Sequence, residues 1–218
     1  MLKKIGCLVI GLCLLPALAR SEMYKWTDEK GGVHLSDRPP PVAPKEVSGQ
    51  SSADQIWARS FPVPRHGNLI LSVPEPWKQD IRQPPDDLPP TIMLTPRQGD
   101  EFEVRITPLW SPKNEPGFNN PQAVKRLISA DLAGMLPSAV ERNVPIEEIR
   151  GKQGTGYTFF MTDKAPKPGE YPYVMRAGIG VGDLLLSATV LCRAKDSEGI
   201  RQTIRALEAA IQAKAEQN

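Results

Sequence analysis

Through most of the chain apolar and polar residues alternate with a period of two, and at two places the spacing switches to that of a helix. The clearest alternation sets Phe102, Val104 and Ile106 against Glu101, Glu103, Arg105 and Thr107, the pattern of a half-buried strand. Leu69, Leu71 and Val73 share one face of a strand over residues 68–73, which Pro74-Glu75-Pro76 ends, and Ile92 and Leu94 mark another. The run 83–90, rich in proline and carrying Asp86-Asp87, reads as an exposed loop between them. Asn120-Pro121 then opens a helix, with Asn as cap and Pro at the first position. Val124, Leu127, Ile128, Leu132, Met135 and Leu136 follow at helical spacing until Pro137 ends or kinks it.

Beyond the helix, Ile146 to Arg150 reads as a short strand, and Tyr157, Phe159 and Met161 lie on one face of the next. Tyr173, Met175, Ala177, Ile179 and Val181 form a long strand, Gly182-Asp183 a two-residue hairpin turn, and residues 184–192 the return strand. Asp196 or Ser197 caps a closing helix with Ile200, Ile204, Leu207 and Ile211 in one stripe. Consecutive strands joined by short turns imply an antiparallel sheet, and the two helical stripes are its natural covers. The predicted class is α+β, an antiparallel β-sheet covered by helices.

Ahead of this domain, Met23 to Thr27 and Val33 to Ser36 read as two short strands around a glycine-bearing turn, stopped by Pro39-Pro40-Pro41. The organisation expected is a signal peptide over 1–19, a small N-terminal β-hairpin module over 20–40, a Pro/Ser-rich linker over 41–56 and an α+β domain over 57–214. A hairpin of this size is marginal alone and needs something to dock on.

The signal peptide rests on Lys3 and Lys4, the apolar run 5–15 and the small-residue pattern Ala17-Leu18-Ala19. That run is too short to span a bilayer, which takes about 20 residues. Cleavage after Ala19 would give a soluble periplasmic or secreted protein without stable membrane insertion. Lys3 and Lys4 leave with the signal, so 27 basic residues become 25 against 25 acidic ones. Such a neutral chain lacks the electrostatic footprint of a nucleic-acid-binding protein. Cys7 and Cys13 leave as well, so Cys192 remains alone and forms no intramolecular disulfide. Leu184, Leu186, Ala188 and Val190 share its strand face, which predicts a buried, inert thiol.

The usual enzymatic constellations do not assemble. His34 and His66 are the two histidines, too few and too distant to supply a zinc site with Cys192. His34 can pair with Asp28 or Asp37, and His66 sits in a turn. No Gly-x-Ser-x-Gly elbow occurs. The acidic pairs Asp86-Asp87, Glu101/Glu103 and Glu147-Glu148 do not select two carboxyls across a cleft, as glycosidase chemistry requires. Gly178-Ile179-Gly180-Val181-Gly182 lacks the strand-turn-helix context of a phosphate loop. Gly178 and Gly180 instead leave one strand face bare, open to close packing or to a flat ligand, and Gly154 and Gly156 extend that strip. Tyr24 and Trp26 alternate, so they share a hairpin face suited to docking or recognition. Trp57, Trp77 and Trp110 read as core or edge packing.

The run from Tyr24 to Pro40 resembles domain of unknown function 4124, a module behind the signal peptide of many proteobacterial exported proteins. The resemblance lies in Tyr24, Lys25, Trp26, Asp28, Glu29, Gly31, Val33, His34, Ser36, Asp37, Pro39 and Pro40, with departures at Leu35 and Gly32. It implies an envelope address and no activity. The remainder is similar to the PsbP-like sandwich in its Val73-Pro74-Glu75-Pro76-Trp77 opening, mid-chain helix, glycine-interrupted hairpin and closing helix. That likeness implies a protein that binds and stabilises partners. The expectation is a non-enzymatic binding or assembly module of a Gram-negative envelope, with no catalytic residues, cofactor or metal. Its candidate recognition residues are Tyr24, Trp26, His34, Gly178 and Gly180, and its partner is an envelope protein or a cell-wall glycan. The alternatives are a glycan-binding protein using the aromatic hairpin and an uncharacterised hydrolase.

Overall fold

The computed structural model describes residues 55–85, 88–113 and 115–214, together with the backbone of strands 24–27 and 33–36. The chain divides into two units, 1–49 and 50–218. In the first, β1 (Tyr24–Thr27) and β2 (Val33–Ser36) pair antiparallel, with Tyr24 opposite Ser36 and Trp26 opposite His34. The signal segment 1–19, the linker up to residue 54 and Asp86-Asp87 lie outside the described residues.

The second unit holds two antiparallel sheets and two helices. In chain order its elements are β3 (Ile56–Val63), β4 (Gly67–Pro74), β5 (Lys78–Arg82), β6 (Thr91–Thr95) and β7 (Phe102–Leu109). Helix α1 (Pro121–Met135) follows, then β8 (Glu147–Arg150), β9 (Thr155–Thr162), β10 (Tyr173–Val181), β11 (Leu184–Cys192), α2 (Glu198–Ala209) and β12 (Ile211–Ala213). The large sheet runs β5-β6-β7-β11-β10-β9-β8, the small one β12-β4-β3. This is an α+β architecture.

Two meanders, β5 to β7 and β8 to β11, meet where β11 pairs with β7 at the centre of the large sheet. The chain leaving β7 must therefore cross from the centre to the far edge before β8 begins. Helix α1 lies in that crossing and packs on β9 and β10. Asn120 caps it, accepting from Ala123 N at 2.8 Å, and Val124 and Ile128 are its buried residues. Beneath it Ile128, Phe159, Met161 and Val144 form one hydrophobic cluster. The other face of the sheet carries the main core, where Leu71, Leu94, Val104, Ile106, Leu186, Val190 and Leu207 join the small sheet and α2 to the large one.

Several expectations need correction. The loop 83–90 joins β5 to β6, because Lys78–Arg82 forms an additional strand, exposed along its whole length, that carries no apolar alternation. Another strand, β3, takes in residue 56 of the expected linker and pairs along β4 from Ile56 opposite Pro74 to Val63 opposite Gly67. Its Trp57 is half exposed on this edge strand of the small sheet. The closing helix stops at Ala209, and Ile211 belongs to β12, opposite Ile70 of β4. The α2 cap is Ser197, whose Oγ accepts from Gly199 N at 3.1 Å.

Candidate functional site

Helix α1 covers the β9 and β10 side, and among the described residues the same face of the large sheet stays open over β5, β6, β7 and β11. The register sets which side chains form its floor. Met93 pairs with Arg105, Arg105 with Thr189 and Thr189 with Arg176, so these four lie in one row across the strands. In the next row Arg82 pairs with Thr91, Thr107 with Ser187 and Ser187 with Gly178. The Thr91 and Thr107 hydroxyls meet at 3.1 Å and tie β6 to β7 within that row.

These rows line a groove of about 450 Å³. Arg176 stands where the groove meets the helix. It donates from Nε to Asp131 of α1 at 3.1 Å, from Nη2 to the same carboxylate oxygen and from Nη1 to the Thr189 hydroxyl. Arg176 and Asp131 are both mostly buried, so the pair fixes the wall of the groove against α1. Arg105 donates Nε to Glu103, two residues along the same strand, and Arg82 meets Asp80 through Nε at 3.8 Å. Both contacts use the inner nitrogen of the guanidinium, and among the described residues the outer nitrogens have no protein acceptor. Among the described residues the lining holds three guanidinium groups and four hydroxyls and no carboxylate. The site offers donors and can receive a ligand rich in acceptor oxygens.

A second polar assembly lies at the tip of the β10–β11 hairpin, where Gly182 takes a φ of 61°. The buried Gln212 of β12 donates from Nε2 to the His66 carbonyl at 2.8 Å and to the Asp183 carboxylate, and its Oε1 accepts from Asp183 N at 2.7 Å. His66 Nδ1 is 3.5 Å from Asp183 Oδ1, and the imidazole lies against Trp110 with ring centroids 4.9 Å apart. Gln212 N donates to Gln153 Oε1 at 2.8 Å. Every member thus has a structural partner, and the cluster clasps the hairpin to the small sheet.

Of the residues singled out from sequence, Gly178 and Gly180 are buried. A Cβ on Gly178 would stand 3.3 Å from Ile128 and Val124, and one on Gly180 would stand 2.4 Å from the Asn119 carbonyl oxygen. Helix α1 and the residues leading into it occupy the bare strip. Gly154 and Gly156 face neighbouring backbone instead: their Cβ atoms would meet the carbonyls of Gly180 and Gly178 at 2.3 and 2.4 Å. Cys192 is fully buried, its Sγ 3.8 Å from the Tyr173 carbonyl, and burial pushes its thiol up to about 11. In the first unit the register places Trp26 opposite His34, and Tyr24 lies at the other end of the same strand. The groove residues escaped sequence reading because Arg105, Thr107 and Thr189 look like ordinary solvent-facing strand positions and Arg82 lies on a strand without apolar alternation. The visible signal was the polar half of the alternation, and the crossing of α1 decides which part of it stays uncovered.

Comparison with known proteins bears first on the hairpin unit. Residues 10–55 match the family model described as domain of unknown function DUF4124. The DUF4124 match thus extends on both sides of the β1–β2 pair. No curated protein matches the chain. Among solved structures the chain is similar to the solution structure of cyanobacterial PsbP (CyanoP) from Synechocystis sp. PCC 6803. The two share 8% identity with a TM-score of 0.42, over 93% of this chain and 99% of that one. The α+β assignment itself stands on the strand order and the placement of the helices.

Proposed function

We propose that this chain is an exported, non-enzymatic binding or assembly protein of the cell envelope. Export is the reading of Lys3, Lys4, the apolar run 5–15 and Ala17-Leu18-Ala19. The observation that carries recognition is the half-covered sheet: a groove of about 450 Å³ with convergent donors on a rigid floor of paired strands. Binding surfaces built on strands hold their geometry without ordering a loop, which lowers the entropic cost of association. The DUF4124 hairpin, with Tyr24, Trp26 and His34, is a second recognition element in this reading. The partner is an envelope protein or a cell-wall glycan.

The test is crosslinking in cells followed by identification of what co-purifies. Wild type is compared with a deletion of residues 22–40 and with Ser187→Tyr, which fills the groove floor. Partners lost with Ser187→Tyr place recognition on the sheet, and partners lost with the deletion place it on the hairpin. Identical partners for all three proteins would overturn the proposal.

A further inference from the structure

We infer that the open sheet face binds an oxyanion, the phosphate or carboxylate group of a ligand, between Arg82 and Arg105. This rests on the recognition reading above and names the chemistry of the group recognised. The two arginines project from β5 and β7, either side of β6, a separation of about 10 Å between their strands. Long guanidinium side chains close such a gap around one small anion. Each meets its carboxylate through Nε: Arg105 with Glu103, and Arg82 with Asp80 at 3.8 Å. Among the described residues neither outer Nη pair has a protein acceptor. A guanidinium presents its donors as a planar fork that matches carboxylate and phosphate oxygens.

Between the forks the floor is made of hydroxyls. Thr91 and Thr107 share one hydrogen between them at 3.1 Å, which leaves the other hydroxyl hydrogen of the pair to donate upward. Ser187 is the next hydroxyl along the row. Arg176 serves as the wall, since three of its five N–H donors go to Asp131 and Thr189 and hold it against α1. Among the described residues the lining carries no aromatic ring on which a sugar would stack, and Met93 and Pro84 are its apolar members. Guanidinium forks over hydroxyls, with no carboxylate among the described lining residues, select an anionic oxygen group over a cation or a neutral face.

Titration of the ¹⁵N-labelled protein with inorganic phosphate, and separately with acetate, tests this. Saturable shifts at the amides of Thr91, Thr107 and Ser187 and at the Arg82 and Arg105 Nε resonances are expected. Arg105→Gln and Arg82→Gln should each weaken binding at least tenfold. Arg105→Lys, which keeps the charge and loses the fork, should weaken it as well. Tighter binding of phosphate would point to a phosphorylated ligand, and tighter binding of acetate to a carboxylated one. Both arginines are exposed enough that the variants should keep the wild-type spectrum elsewhere, and Thr107→Val gives a further variant with the charge intact. No saturable shift with either anion, or shifts unchanged in the Arg82→Gln/Arg105→Gln double variant, would overturn the inference. A partner that is still lost with Ser187→Tyr after such a result would leave recognition standing and remove only the oxyanion.

Discussion

The two glycines of β10 that face α1 give a prediction in which one substitution has two outcomes. At Gly180 a Cβ would stand 2.4 Å from the Asn119 carbonyl oxygen, far inside contact distance, so backbone must move by about 1 Å. Asn119 is not free to move. Its Nδ2 donates to the Gly182 and Leu184 carbonyls at 2.9 and 2.8 Å, and Asn120 beside it caps α1. Gly180→Ala therefore either strains a packed contact or breaks two hydrogen bonds, a loss of about 2–4 kcal/mol. The smaller entropy of the unfolded alanine chain offsets roughly 0.4–1 kcal/mol of that. At Gly178 the new Cβ would meet only side-chain carbons of Val124 and Ile128, at 3.3 Å, which can give by a few tenths of an ångström. Gly178→Ala should stay within about 1 kcal/mol of wild type. Equilibrium urea denaturation of the full chain, followed by tryptophan fluorescence, measures both. With a slope of about 2 kcal/mol per molar, Gly180→Ala should lower the midpoint by roughly 0.5–1.8 M and Gly178→Ala by less than about 0.5 M. Equal midpoints for the two variants, or a larger loss at Gly178, would refute the close-packing argument.

Gln212→Ala should remove the three side-chain hydrogen bonds that hold His66 and Asp183, at a cost of about 2–4 kcal/mol. The melting temperature should fall by roughly 5–12 °C, and a fall below about 2 °C would mean the clasp contributes little. Burial raises the Cys192 thiol from its ordinary 9.0 to about 11. The folded protein then holds a proton that the unfolded chain releases above pH 9, so this contribution is complete below pH 9 and is lost as pH rises toward 11. Its size is about 2–3 kcal/mol. The loss should be present in wild type and absent in Cys192→Val, and the native thiol should resist a disulfide reagent at pH 8 that modifies the urea-unfolded chain.

The strands β4, β6, β7, β9, β10 and β11 were legible because one face of each packs on a core and the other meets a different environment, which writes a period of two into the residues. The helix starts were legible from local capping chemistry at Asn120-Pro121 and at Asp196 or Ser197, of which Ser197 is the cap. Strand β5 was not, since an edge strand exposed throughout needs no apolar alternation and is specified by its pairing with β6. Strand β12 was hidden because Ile211 fits the stripe of α2, yet pairing with β4 takes it out of the helix. The buried state of Cys192 followed from its neighbours on the strand. The groove did not, because an arginine or threonine on a polar strand face has the same local signature whether a helix covers it or solvent does. The chain by itself determined both helices and the strands that alternate, the α+β class and the resemblance of the hairpin. The tertiary structure decided that β11 pairs with β7, that α1 therefore crosses only one half of the sheet, and that Arg82, Arg105, Thr107 and Ser187 share the half left open. These contacts join residues distant in sequence, and no local pattern encodes them.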